Sequence, residues 1–187
     1  MYWYKLKLTP IATLLGGILL LSGLQACRPD KTQSNGTLKY FDIAGYFKAD
    51  TARLTKINPQ VDKTVTHNGV TENKTVQIAN WGQEFNLFIL SDINRPAWKN
   101  SYSILNTDSL IIYRAKTPDL RTTEVMIKKD GDKVKWIVIF NHTKNLLYET
   151  REKLSYFPDS VYQIEKSQQV RLMGKNLYRI KGVLKEK

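Results

Sequence analysis

The sequence predicts an α+β domain in which two N-terminal helices pack on one face of a curved antiparallel sheet of six or seven strands. Three observations carry this reading. Between Asp42 and Asn94 apolar residues recur at helical spacing, which gathers them on one side of each helix. Past Trp98 the period falls to 2, the repeat of a half-buried strand. Between those short strands stand Asn-Thr-Asp, Thr-Pro-Asp, Asp-Gly-Asp and His-Thr-Lys-Asn, turn-forming clusters at the close intervals of a meander.

The first helix starts at Asp42, whose carboxylate can cap the N–H groups that follow. Ile43, Phe47, Leu54 and Ile57 then make one apolar stripe, and Asn58-Pro59 ends it. Gly45 is a poor helix former inside this run. Next come β-branched segments around Asn68-Gly69, a pair that favours the positive φ angles of a tight hairpin turn. The residues of this hairpin are largely polar, which makes it an exposed one. The second helix opens with Asn80 and Gln83 as a capping box. Trp81, Phe85, Phe88 and Ile89 follow at helical spacing until Asn94-Arg95-Pro96. That aromatic stripe docks the helix on the sheet.

The strands read SYSIL, SLIIYRA, RTTEVMIKK, KVKWIVIFN and LLYETREKL. In the fourth, Val134, Trp136, Val138 and Phe140 share one side and Ile137 and Ile139 the other, so it is apolar on both faces, as a central strand is. The fifth sets Leu146 and Tyr148 against Glu149, Arg151 and Lys153, the pattern of a half-solvated strand. Residues 161–173 fit two patterns. Tyr162, Ile164, Val170 and Leu172 share strand parity, whereas Val161, Ile164, Gln168 and Leu172 share a helical face. A strand leaves only Lys166 and Gln168 as polar mismatches, and NLYRIKGVL after Gly174 can pair back on it.

The chain begins with Lys5 and Lys7 before an apolar run from Ile11 to Leu24, and no acidic residue precedes Asp30. This is the layout of an export signal, and it is shorter than the roughly 20 residues a membrane span needs. Leu24-Gln25-Ala26-Cys27 holds the only cysteine of the chain. It resembles the lipobox of bacterial lipoproteins, with Leu at −3 and a small residue at −1, and Gln25 standing where a small residue is usual. The resemblance covers residues 1–27. It implies removal of residues 1–26, acylation of Cys27 and attachment to the membrane through that lipid. Several acyl chains anchor stably where one does not, since each buried methylene contributes about 0.8 kcal/mol. Arg28 takes the place where lipoproteins kept in the inner membrane often carry Asp, so the expected destination is the outer membrane of a Gram-negative bacterium. Residues 27–37, ending in RPDKTQSNGT, form the acylated Cys and a flexible tether. Residues 38–187 then make a single domain.

The leader contains two of the 29 Lys+Arg and none of the 17 Asp+Glu, so the mature chain stays strongly basic. Most of the excess lies past residue 120. Lys135, Arg151, Lys153, Arg171, Arg179 and Lys181 are the candidate partner-contact residues, on the solvated parity of the sheet half. An exported, tethered domain has anionic headgroups, lipopolysaccharide phosphates or acidic proteins within reach, and no nucleic-acid motif is visible.

Chemistry is sparse. His67 and His142 sit beside turns without a second ligand at metal spacing. No nucleophile elbow, P-loop or dinucleotide fingerprint occurs, and no cofactor is expected. A carboxylate pair for hydrolysis would have to come from Asp92, Asp119 or Asp159, each of which also reads as a helix-stop or turn residue. The sequence therefore points to a non-enzymatic envelope module that binds a lipid or an envelope protein. Its alternative is a structural or accessory subunit with Trp98, Tyr102 and Tyr156 at a protein interface; a hydrolase is the distant third.

Overall fold

The computed structural model describes residues 38–185. The expected leader, the lipobox with Cys27, and the tether lie outside the described residues. Helix α1 runs Ile43–Ile57, with Asp42 as its cap. The Asp42 carboxylate accepts from the Gly45 N–H at 2.8 Å. A Cβ on Gly45 would overlap that carboxylate, so the residue that weakens helix propensity is the one the cap requires. Asn58 closes the helix with φ of 48° and an N–H bonded to the Leu54 carbonyl.

After α1 come β1 (Gln60–His67) and β2 (Val70–Gln77), two short helices α2 (Trp81–Glu84) and α3 (Asn86–Ile89), and a 3₁₀ turn at Pro96–Trp98. Seven further strands follow: β3 (Tyr102–Asn106), β4 (Leu110–Ala115), β5 (Thr122–Asp130), β6 (Lys133–Lys144), β7 (Tyr148–Phe157), β8 (Val161–Val170) and β9 (Gly174–Leu184). They form one antiparallel sheet in the order β2-β1-β9-β8-β7-β6-β5-β4-β3. The α+β class and the meander hold, with few helices.

Three expectations need correction. The sheet has nine strands among the described residues, not six or seven, because the β1–β2 hairpin is no separate unit. β1 pairs with the last strand, Val65 opposite Ile180, so the buried Val61 continues the core. Its turn is the expected one, with Asn68 and Gly69 at φ 48° and 89°. The second helix breaks in two at Phe85, whose ψ of 12° leaves the helical range. Gly82 and the aromatic residues are weak helix formers, and the break lets Trp81, Phe85 and Phe88 all reach the core. Leu172 belongs to the turn after β8, where the strand pattern runs out, while residues 161–170 are strand.

Residues of one parity fill the core beneath the helices: Val125, Ile127, Ile137, Ile139, Leu154, Tyr156, Tyr162 and Ile164 are buried with Phe47, Leu54, Trp81, Phe85 and Phe88. In β6, the helix side takes Ile137 and Ile139. Phe47 lies 4.7 Å from Phe88 and 5.2 Å from Tyr156, ring centre to ring centre. Such pairs add about 0.5–1.5 kcal/mol each beyond burial. Two polar ties, one buried and one partly buried, fix the helices on the sheet. The Tyr156 hydroxyl donates to Asp50 on α1, whose carboxylate also takes Arg53 at 2.6 Å. Glu84 on α2 accepts from the Tyr162 hydroxyl and pairs with Lys63 of β1, both at 2.7 Å.

Candidate functional site

Side chains alternate along a strand, so the residues between the core positions turn to the face that carries no helix. Register aligns them in rows across the strands. One row runs Glu124, Phe140, Lys153, Glu165, Arg179 and Thr66 from β5 to β1. The next runs His142, Arg151, Ser167 and Leu177. Most of these side chains, with Thr123, line one cavity of about 640 Å³. At about 4.8 Å per strand step a flat sheet would hold β5 and β1 some 24 Å apart. A cavity lined from both therefore means that the sheet curls around this face.

The open face is divided chemically. Over β5 and β6 it carries half-buried Met126, Trp136, Val138 and Phe140, which no helix covers. Over β7 to β9 it is charged. Arg151 is held by Glu149 at 2.7 Å, and His142 meets the same carboxylate at 3.0 Å. The hydrogen bond to His142, then that to Arg151, hold the Glu149 carboxyl below the usual carboxylate range. Arg179 lies 4.0 Å from Glu165. Among the described residues Lys153 has no acidic partner within 4.0 Å, leaving its ammonium free to meet an anion. Apolar surface on one side and uncommitted positive charge on the other suit a molecule with an apolar body and an anionic head.

Beneath the cavity, on the helix side, Glu152 is buried and accepts from Arg121 at 3.0 Å and Asn141 at 3.2 Å. Asn141 also donates to Ser91 at 2.8 Å. A buried carboxylate that lost these donors would be costly, so the network holds β6 and β7 in fixed relation under the lining residues. The sequence signal for it is that Glu152 shares parity with the core residues Leu154 and Tyr156.

Of the six expected contact residues, Arg151, Lys153 and Arg179 come together in the cavity wall. Lys181 is on the same face one row away, opposite Gln163. Lys135 pairs with Asp130 at 3.1 Å near the β5–β6 turn, and Arg171 is in the turn between β8 and β9; neither reaches the cavity. The interface set also disperses. Tyr102 and Tyr156 are buried, with their hydroxyls donating to the Thr122 carbonyl and to Asp50, and only Trp98 keeps partial exposure. Burial pushes the Asp92 carboxyl up; Asp119 is in the β4–β5 turn and Asp159 in the β7–β8 turn at the opposite end of the sheet, bound to Arg53 at 2.6 Å. His67 stacks on Tyr178 at 4.2 Å. Both histidines are strand residues and not turn residues. Among the described residues no three His, Cys, Asp or Glu are grouped to hold a metal ion, and no helix is long and apolar enough to cross a membrane.

No family model, no curated protein and no solved structure matches this chain.

Proposed function

We propose that this protein is a non-enzymatic binding module of the bacterial cell envelope, tethered through acylated Cys27 and holding an anionic amphiphile in the cavity on the open face of its sheet. The observation that supports it is the lining. Phe140 and Leu177 offer apolar surface beside Arg151, Lys153 and Arg179, and Lys153 has no acidic partner within 4.0 Å among the described residues. Charge-assisted hydrogen bonds from an arginine and a lysine orient an anionic head, and the neighbouring apolar side chains of β5 and β6 take the body.

The test is to purify the protein gently from its native envelope, cut the tether and identify what stays with the domain by mass spectrometry. A stoichiometric anionic amphiphile should remain, and it should be lost from a Lys153→Glu, Arg179→Glu variant. Retention of nothing by the wild type, or of the same lipid by the variant, would overturn the reading.

A further inference from the structure

We infer that the end of the sheet formed by the β6–β7 and β8–β9 turns is a membrane-docking edge, which seats four aliphatic side chains in the surface of an anionic bilayer. Leu146 and Leu147 cap one turn, 86% and 71% exposed; Leu172 and Met173 cap the other, 94% and 81% exposed. The two turns form one surface, because the Arg171 N–H donates to the Leu147 carbonyl at 3.0 Å. Both are ordered. Asn145 Oδ1 accepts from the N–H groups of Leu147 and Tyr148 at 2.9 Å, and the Met173 N–H donates to the Val170 carbonyl at 3.2 Å. A third turn flanks them: Asn68 is tied to β9 through Leu177 at 2.8 Å, with Val70 beside it 71% exposed.

Charge selects the occupant. Lys144, Arg171 and Lys175 flank the four apolar residues in the sequence of the two turns, and residues 143–148 and 169–176 contain no Asp or Glu. Glu149, the nearest carboxylate along β7, is engaged by Arg151 and His142. A second copy placed symmetrically on this edge would oppose three positive charges with three. Protein interfaces centre on aromatic residues in flat, packed patches, whereas here aliphatic side chains project from two narrow turns. Insertion to a depth of about 5–10 Å, with cations at the headgroup level, is the arrangement that uses both features. None of the four aliphatic side chains lines the cavity, so their docking does not rest on the cavity having a ligand.

The probe is vesicle flotation of residues 27–187 carrying Cys27→Ser, which removes the acyl anchor. Vesicles contain phosphatidylethanolamine with phosphatidylglycerol, or phosphatidylcholine alone. Binding is expected to the anionic vesicles only and to weaken with salt. Leu146→Ser, Leu147→Ser, Leu172→Ser and Met173→Ser together should lower it at least tenfold, and Arg171→Gln alone about fivefold. Unchanged circular dichroism and urea midpoint separate lost docking from lost folding. The serine variant, whose four positions do not line the cavity, should still retain the cavity's amphiphile through the envelope purification, so a failed cavity and a failed edge are distinguishable. Three results overturn the proposal. They are no anionic binding, equal binding by the serine variant, and a self-association that the serine variant abolishes without vesicle binding by the wild type.

Discussion

Gly182 offers a test in which local propensity and packing predict opposite signs. It is an ordinary strand residue of β9 without positive φ, so Gly182→Ala should stabilise by about 0.4–1 kcal/mol through the unfolded chain alone. Yet Gly182 stands opposite Tyr162, and a Cβ there would overlap the Tyr162 ring. That ring cannot simply withdraw. It is fully buried, 5.3 Å from Phe85, and its hydroxyl donates to Glu84 at 2.7 Å. Overpacking costs about 1–3 kcal/mol, and losing the bond to a charged acceptor about 1.5–3 kcal/mol. Set against the entropic gain, the expected net loss is about 1.5–5.5 kcal/mol. Urea unfolding followed by tryptophan fluorescence measures it, with the slope unchanged and the midpoint lowered. Adding Tyr162→Leu should recover part of the loss, because the two sites are coupled. A midpoint equal to or above the wild type would mean that Tyr162 does not lie on Gly182, and the account of how α2 is fixed to the sheet would fail with it.

Trp81 is fully buried and its Nε1 has no partner among the described residues. Trp81→Ala should therefore cost about 3–5 kcal/mol through the cavity it opens, and Trp81→Phe clearly less; an unchanged denaturation midpoint for the alanine variant would place this ring on the surface. Burial pushes the hydroxyls of Tyr46 and Tyr102 up to about 12. A phenol raised in the folded state contributes stability that is complete below its unfolded value of about 10 and is lost as pH climbs toward 12. Tyrosinate absorbance should accordingly rise late and together with unfolding, and ionisation of these phenols near pH 10 (about the unperturbed value) in a folded chain would refute the assignment. Cys27→Ser should leave an unprocessed or non-acylated precursor on mass spectrometry, whereas an acyl-free mature N-terminus on membrane-retained wild type would remove the lipoprotein reading.

Local chemistry made much of this molecule legible before any tertiary structure. Asp42, Asn58-Pro59, Asn68-Gly69 and the alternation from Tyr102 onward specify caps, turns and strands through interactions a few residues long, and α1 and the meander lie where those signals put them. The basic face was legible in the same way, since strand parity alone sends Arg151, Lys153 and Arg179 to one side. Tertiary structure decided what depends on contacts distant in sequence. Pairing of β1 with β9 joins residues more than a hundred positions apart, and nothing in a largely polar hairpin announces its partner. Tyr102 and Tyr156 became core because hydrogen-bond acceptors from other elements reach their hydroxyls, an event that aromatic composition does not encode. The cavity needs the curl of six strands, and the apolar edge needs two turns bonded to each other. A sequence sets which side of a strand each residue takes; which strands become neighbours, and which turns meet, is set by contacts distant in sequence, the pairing of β1 with β9 and the packing of Trp81, Phe85 and Phe88 in the shared core.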